Sequence, residues 1–201
     1  GRDDAPALAA WLRLAERDAH MDSLAGYERS RVESALPDLR RLTVLPPAEG
    51  VRQAQQRLRE CGVVLALVPA VPGLGIHGAT RWIGGHPVIQ LSGLWKSDDQ
   101  LWFTLFHEIA HVLLHDPKGL YLQGVEGAIE EEADAFAARL LVPEDYAERL
   151  PQRRSLAEVK RLAEELEVAP SIILGQAQRR TGDYAWGHDL KRRVDIADMV
   201  A

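Results

Sequence analysis

Cysteine is almost absent from this sequence, which contains only Cys61 among its 201 residues. One cysteine cannot form an intrachain disulfide, and it cannot supply a cysteine-rich zinc site. We interpret Cys61 as a small buried hydrophobe at the start of a strand rather than as a reactive thiol. No apolar run approaches the roughly 20 residues that a membrane-spanning helix needs. These absences predict a protein of the reducing cytoplasm that has no membrane segment.

An excess of basic residues is also absent, since 24 Lys and Arg stand against 30 Asp and Glu, for a net charge of -6. A dedicated DNA-binding surface is usually basic, so this balance argues against nucleic acid as a partner of the chain. The first residues show no signal-peptide pattern. They also lack an initiator Met, which leaves open whether a DNA-binding domain lies upstream.

The sequence pattern divides the chain at residue 61. Residues 1–60 are predicted to be a helical extension, in which Trp11, Leu12, Ala15 and Ala19 recur at helical spacing. Residues 61–201 begin with strands near 63–68 and 79–92 and continue as helices from Asp98, including a C-terminal helical lobe. The predicted fold class is therefore α+β, mostly helical, with a small sheet of about three strands.

The strongest chemical signal is an H-E-x-x-H motif, His107 to His111, in a helix whose start at Ser97 has the pattern of a capping box. Residues four apart share a helix face, so the imidazoles of His107 and His111 can bind one ion. Glu108 is rotated by about 100° from His107, which suits a general base acting on water. The apolar flanks predict that both histidines are buried, where they need a partner such as a metal.

A catalytic zinc site usually has three protein ligands, and the next helix supplies a candidate for the third. At about 100° per residue, Glu130 lies on the border of the apolar face of that helix. Glu131 faces solvent, and Glu132 lies on the far flank. Asp134 follows one turn after Glu130, where it can accept a hydrogen bond from a ligating histidine.

His115 continues the four-residue spacing of the motif. It lies about 12 Å along the helix axis from His107, which is too far for both to bind one ion. We therefore interpret His115 as a residue that supports the ligands. If Glu130 does not bind the metal, Glu132 and His115 are the next candidates.

These residues resemble the ImmA/IrrE metallo-endopeptidases, which are gluzincin-like proteins. The similarity is carried by the H-E-x-x-H motif with Leu114-His115 and by residues 130–143, and it covers about residues 62–193. It implies a zincin-like fold, His107, His111 and Glu130 as zinc ligands, and Glu108 as the catalytic residue. Segments 78–82, 102–106 and 170–175 more loosely resemble the C-terminal domain of long HigA-type antidotes of toxin–antitoxin modules.

The sequence therefore predicts a Zn²⁺-dependent metallo-endopeptidase. The family resemblance implies a protein substrate, such as a repressor, that is cut once or a few times, with a toxin or repressor as the candidate partner. One alternative is a non-catalytic regulatory or antitoxin domain that binds a protein or DNA. A helix-turn-helix-like pattern over 163–173 motivates it, although the acidic first helix favours packing within the C-terminal lobe. A second alternative is an interaction domain with a structural zinc, against which the presence of Glu108 argues.

Two details of a peptidase site stay open in the sequence. The donor that stabilises the oxyanion has six candidates, which are His77, His86, Tyr121, Tyr146, Tyr184 and His188. Val88 to Leu91 precede the motif helix and are a candidate edge strand that pairs with an extended peptide.

Overall fold

The computed structural model describes residues 5–18, 24–123 and 126–199, which form the predicted α+β fold. Eight α-helices and one four-stranded sheet lie in this described part. The helices are α1 (Ala5–Asp18), α2 (Arg29–Arg41), α3 (Pro47–Glu60), α4 (Asp98–Leu114), α5 (Ala128–Leu141), α6 (Glu144–Ala147), α7 (Leu156–Leu166) and α8 (Pro170–Thr181). The strands are β1 (Val64–Leu67), β2 (Gly78–Ile83), β3 (His86–Leu91) and β4 (Tyr121–Leu122). Short 3-10 turns lie at Leu42–Val44, His188–Leu190 and Ile196–Met199.

The strand order is β1-β3-β2-β4, which places β3 inside the sheet. It pairs in parallel with β1, with Val88 opposite Val64, and antiparallel with β2 through the turn at Gly84 and Gly85. The prediction that Val88 to Leu91 form an edge strand is wrong, because both hydrogen-bonding sides of β3 are already occupied. The two-residue strand β4 covers β2 instead.

The first helix packs against the sheet. Trp11 and Ala15 are buried, and the indole N–H of Trp11 donates to the carbonyl oxygen of Val68 at 3.1 Å. Gln90 of β3 donates in turn to the carbonyl oxygen of Trp11 at 2.7 Å. Ala19, which we expected on the same face, lies outside the described residues. The proposed division between residues 1–60 and 61–201 stays a prediction.

Cys61 is buried, but it ends helix α3 rather than starting a strand. Gly62 follows with a φ of 78°, a left-handed conformation that favours glycine at a helix end. Burial, reinforced by the charge of Glu60, raises the pKa of the Cys61 thiol. The thiol is therefore a protonated, packed side chain in the neutral pH range.

Helix α4 lies in the core, and all of its residues from Thr104 to Leu113 are buried. Ser97 occupies the N-cap position, but its side chain makes no capping hydrogen bond, so the predicted capping box is not formed. Asp98 and Asp99 are buried and form ion pairs with Arg192 and Lys191 of the C-terminal segment.

The C-terminal helices α7 and α8 pack as part of the core. Ser171 to Leu174 at the start of α8 are buried, whereas the recognition helix of a DNA-binding helix-turn-helix contacts bases with its N-terminal residues. The turn residue Glu167 adopts a left-handed φ of 54°. None of the described helices has both the length and the apolarity to cross a lipid bilayer.

Candidate metal centre

Three donor side chains from two helices converge on one point. His107 and His111 lie one turn apart on α4 and are almost completely buried, and Glu130 lies in the first turn of α5. The Nε2 atoms of His107 and His111 are 3.1 Å apart. One carboxylate oxygen of Glu130, Oε2, lies 3.0 Å from Nε2 of His107, and the other, Oε1, lies 3.3 Å from Nε2 of His111. Tetrahedral ligands at 2.0–2.1 Å from zinc are separated by about 3.3 Å. The three donors therefore fit a single ion.

Small residues on α5 bring Glu130 to this point. Helix α5 packs on α4, and its residues Ala133 and Ala137 are fully buried. The distance between packed helices depends on the side chains at their contact, so alanines allow a close approach. Because the two helices lie close together, Glu130 in the first turn of α5 lies next to His107 and His111.

The ring of His107 is oriented by Asp134. Its Nδ1 lies 2.8 Å from Oδ1 of Asp134, and the second oxygen of Asp134 accepts a hydrogen bond from Arg179 of α8 at 2.7 Å. Burial opposes ionisation of Asp134, but the hydrogen bonds with His107 and Arg179 outweigh it and lower the pKa of this carboxyl. An ionised Asp134 accepts the Nδ1 proton, which leaves the Nε2 lone pair of His107 directed at the candidate metal position.

His111 has a different set of supports. Its Nδ1 lies 2.8 Å from Nδ1 of His115, and its ring stacks on Tyr121 with centroids 4.6 Å apart and an angle of 8° between planes. Burial, then the charges of His107 and His115, lower the pKa of His111 to about 3. The imidazole is therefore neutral, which is the form that binds a metal.

His115 reaches His111 because the helix ends there. Its backbone leaves the helix with φ and ψ of -115° and 171°, so the separation expected along a continuous helix does not apply to its ring. Nε2 of His115 lies 3.4 Å from Oε2 of Glu132. The structure thus places His115 beside a candidate ligand rather than among the three donors.

Glu108 points to the sheet rather than to α5. It is fully buried, and the hydroxyl of Thr80 on β2 donates to its Oε2 at 2.7 Å. Burial raises the pKa of Glu108 to about 8, against the lowering effects of His107 and of the Thr80 hydrogen bond. Its Oε1 has no hydrogen-bond partner within the described residues. A buried carboxyl with a free oxygen beside a histidine donor is suited to exchange protons with a bound molecule.

A glycine makes room for this carboxyl. A Cβ atom on Gly78 would lie 2.4 Å from Oε1 of Glu108 and 2.9 Å from Cγ2 of Thr104. The start of β2 can therefore approach α4 only without a side chain at this position. The backbone of Gly78 is in an ordinary conformation, so the requirement is steric.

An open cleft runs along the candidate metal centre, so that His107 and Glu130 form part of its lining. It is lined by His77, Trp95, Gln100, Phe103, His107, Gln123, Glu126, Glu130, Asp134 and Arg179. Of the six candidate oxyanion donors, His77 lines this cleft. The hydroxyl of Tyr121 donates to the carbonyl oxygen of Asp116, and the ring of His86 contacts the carbonyl oxygen of Gly62. Tyr146, Tyr184 and His188 are not among the residues that line the cleft.

The sequence pattern did not identify Thr80 and Arg179 as parts of the site. Thr80 carried no signal beyond its place in a strand, because its role follows from the packing of β2 on α4. Arg179 lies in the last turn of α8, where a basic residue is often only solvated. It is half exposed, but it binds Asp134 and its guanidinium lies 5.1 Å from the centroid of the Phe103 ring.

Fold and donor set define a domain of the metallopeptidase type. The family model Peptidase_M78, described as an IrrE N-terminal-like domain, matches residues 68–175, more than half of the chain. The chain therefore belongs to this peptidase family, and the ImmA/IrrE resemblance is confirmed. The matched region contains Glu108 and the three candidate ligands and ends before Arg179. A search of curated proteins found no match.

Proposed function

We propose that the chain is a zinc-dependent metallo-endopeptidase that cleaves a regulatory protein. The observation that carries the proposal is the convergence of His107, His111 and Glu130 at tetrahedral spacing, with Glu108 buried next to them. Two imidazoles and one carboxylate form a donor set that suits zinc, and three ligands leave a position for a reacting molecule.

A zinc ion held by these three residues would supply Lewis acidity, polarising the peptide carbonyl and increasing the acidity of water. The positive charge of a bound ion would favour the ionised form of Glu108 over the protonated form that burial favours. The ionised Glu108 takes a proton from the water molecule as the water oxygen bonds to the carbonyl carbon. It then gives this proton to the amide nitrogen as the C–N bond breaks. One product ends in a carboxyl group and the other begins with an amine. Thr80 holds Oε2 of Glu108 and leaves Oε1 free for these transfers.

The proposed substrate is an extended segment of a repressor, or of a related regulator in a toxin–antitoxin or stress-response system. The family resemblance supports a regulatory substrate, since members of the family cleave such proteins. The open cleft supports a polypeptide rather than a small molecule, because it continues past the candidate ligands to Gln100, Phe103 and Glu126. The reaction takes place in the cytoplasm under this proposal.

A non-catalytic regulatory domain is the competing function, and the environment of Glu108 argues against it. Burying a carboxyl group without a full set of partners is unfavourable for folding. A domain that needed only its fold would be more stable with an apolar residue there. The burial of α8 argues in the same direction against DNA recognition.

Metal content is the first test of the proposed function. We expect about one zinc per chain in protein purified without added metal. His107→Ala and Glu130→Ala should lose it, whereas Glu131→Gln, the exposed neighbour on α5, should keep it. Mass spectrometry of the native protein measures the zinc content of the wild type and of each variant. A folded wild-type protein without metal would contradict the proposal.

Cleavage is the second test. A proteome-derived peptide library incubated with the zinc-loaded protein reports new termini whatever the sequence of the substrate. Glu108→Gln should keep zinc and lose cleavage by about 10²–10⁴-fold, because it cannot accept a proton. Cleavage that persists unchanged in this variant would remove Glu108 from the mechanism.

A further inference from the structure

His77 is fixed in the cleft that holds the candidate metal centre. It directly precedes β2 and lines the same cleft as His107 and Glu130. Its backbone N–H donates to the carbonyl oxygen of Gln123 at 3.3 Å, and its own carbonyl oxygen accepts from the backbone N–H of Ser92 at 2.9 Å. These bonds hold the backbone of His77 between Gln123 and Ser92. The point from which its side chain extends into the cleft is therefore fixed.

The neighbouring indole of Trp95 determines which ring nitrogen of His77 carries the proton. The Nε1–H of Trp95 donates to Nδ1 of His77, and the two rings are 5.1 Å apart. An indole nitrogen is a donor only, so Nδ1 must be unprotonated. The proton of the imidazole is therefore on Nε2. Burial, then the charge of His107, lower the pKa of His77, which favours the same neutral form.

The Nε2–H group of His77 makes no hydrogen bond with any described residue, although the other nitrogen of the ring does. The Nε2–H group is therefore an available donor on a ring of known tautomer, and this ring lines the cleft. Negative charge on an oxygen is stabilised by such a pre-positioned donor. Of the six sequence candidates, His77 combines a place in the cleft with an unused N–H group.

We propose that Nε2–H of His77 donates a hydrogen bond to the substrate oxygen that becomes negatively charged when water adds to the scissile carbonyl. Trp95 acts through His77 as a positioning residue, because its N–H maintains the required tautomer. The role explains why the side chain of Trp95, 60% exposed, lies at the edge of the cleft. This inference rests on the proposed peptidase function and assigns a residue that the family match leaves unassigned.

The test compares two zinc-binding probes on the zinc-loaded protein by calorimetry. A phosphonamidate dipeptide carries the tetrahedral anionic oxygens of the reacting carbonyl, whereas a thiol dipeptide binds zinc without them. His77→Ala should weaken the phosphonamidate by about 100-fold, the scale of one lost oxyanion donor, and leave the thiol nearly unchanged. His77→Gln, which retains an N–H donor, should recover part of the loss. His188→Ala, an exposed histidine outside the cleft, is the matched control.

Nitrogen NMR of the histidine rings gives a readout that is independent of activity. We expect the Nε2–H tautomer at His77 in the wild type and a mixture of tautomers in Trp95→Phe, which keeps an aromatic ring and removes the N–H. Trp95→Phe should also weaken the phosphonamidate, by less than His77→Ala.

The outcomes separate this inference from the proposed function. Equal affinity of the phosphonamidate for wild type and His77→Ala, or an Nδ1–H tautomer in the wild type, would overturn the role of His77 alone. Failure of both probes to bind the zinc-loaded wild type would overturn the peptidase function, and the role of His77 with it. Equal losses for both probes in His77→Ala would show a general effect on the cleft and would also overturn the assignment.

Discussion

Nδ1 of His107 lies 2.8 Å from Oδ1 of Asp134, and this contact is the second link between helix α5 and the candidate metal centre. Glu130, one turn earlier, is the first. One face of α5 therefore supplies the candidate ligand Glu130 and also supplies Asp134, which orients the ligand His107. The second oxygen of Asp134 extends the chain of contacts to Arg179 on α8. Helix α8 is thus connected to the centre through Asp134.

Replacing Asp134 by Ala is expected to weaken zinc binding by about 10–100-fold, because His107 loses the acceptor that fixes its ring and tautomer. Asp134→Asn should lie between this variant and the wild type, since its amide oxygen can still accept the Nδ1 proton. Competition against a chromophoric chelator measures the affinity. Glu131→Gln, exposed on the same helix, is the control, and a zinc affinity equal to wild type in Asp134→Ala would refute the supporting role.

Removing Arg179 is expected to weaken zinc binding as well, by less than Asp134→Ala does. Its ion pair with Asp134 is half exposed, and such pairs contribute about 0.2–1 kcal/mol. Arg179→Met should therefore weaken zinc binding by at most about fivefold. In the background of Asp134→Ala the same substitution should have no further effect on zinc, because the contact through which it acts is gone. Independent, additive losses in the double variant would contradict the connection, and Arg180→Met controls for the loss of one charge on α8.

Gly78→Ala is expected to separate catalysis from metal binding. The added methyl group overlaps Oε1 of Glu108, at 2.4 Å, so the carboxyl must move while the donors on the α5 side of α4 stay in place. We expect cleavage of the peptide library to fall by at least about tenfold, since a displacement near 1 Å can reduce rates by about 10²-fold. Zinc content should stay at the wild-type level.

The matched control for that variant is Gly26→Ala, where a methyl group meets no atom within 4 Å. Neither glycine has a positive φ, so backbone strain does not separate the two. Loss of zinc in Gly78→Ala would contradict this prediction. It would show that moving Glu108 on one face of α4 also disturbs the metal ligands on the other face.

Helical periodicity is the reason that much of this site could be predicted from the sequence. Spacing alone places His107 and His111 on one face and Glu108 on another. The same calculation on the next helix selects Glu130 and Asp134 over Glu131, and the structure places both near His107. Within a helix, position along the sequence determines direction, so a sequence suffices to say which side chains share a face.

Contacts between elements could not be predicted in this way. Thr80 meets Glu108 because β2 packs on α4, and Arg179 meets Asp134 because α8 packs beside α5. The central position of β3 depends on a parallel pairing with β1 across 24 residues of sequence, for which the local pattern gives no signal. His115 approaches His111 because α4 ends one residue earlier. Each of these facts requires the tertiary arrangement.

The C-terminal segment is attached to the start of α4 by a buried ion pair. Asp98 is fully buried, and it accepts hydrogen bonds from the guanidinium of Arg192 at 2.7 Å and from its backbone N–H at 2.9 Å. Ser171 of α8 donates to the same carboxyl at 2.7 Å. The guanidinium of Arg192 also donates to carbonyl oxygens of the Leu42–Val44 turn and of Leu45. One carboxyl thus joins α4, α8 and the C-terminal segment.

Arg192→Ala is therefore expected to destabilise the protein by about 3 kcal/mol, because it leaves the buried charge of Asp98 without its cation. Urea unfolding of the metal-free protein measures this change without the stabilisation that a bound ion adds. Arg193→Ala removes the neighbouring charge, whose side chain is 79% exposed, and should stay within about 0.5 kcal/mol of the wild type. Replacing the pair together, as Asp98→Asn with Arg192→Met, should be less harmful than Arg192→Ala, because no uncompensated charge stays in the core. Equal stability of Arg192→Ala and Arg193→Ala would show that the ion pair does not hold the C-terminal segment on α4.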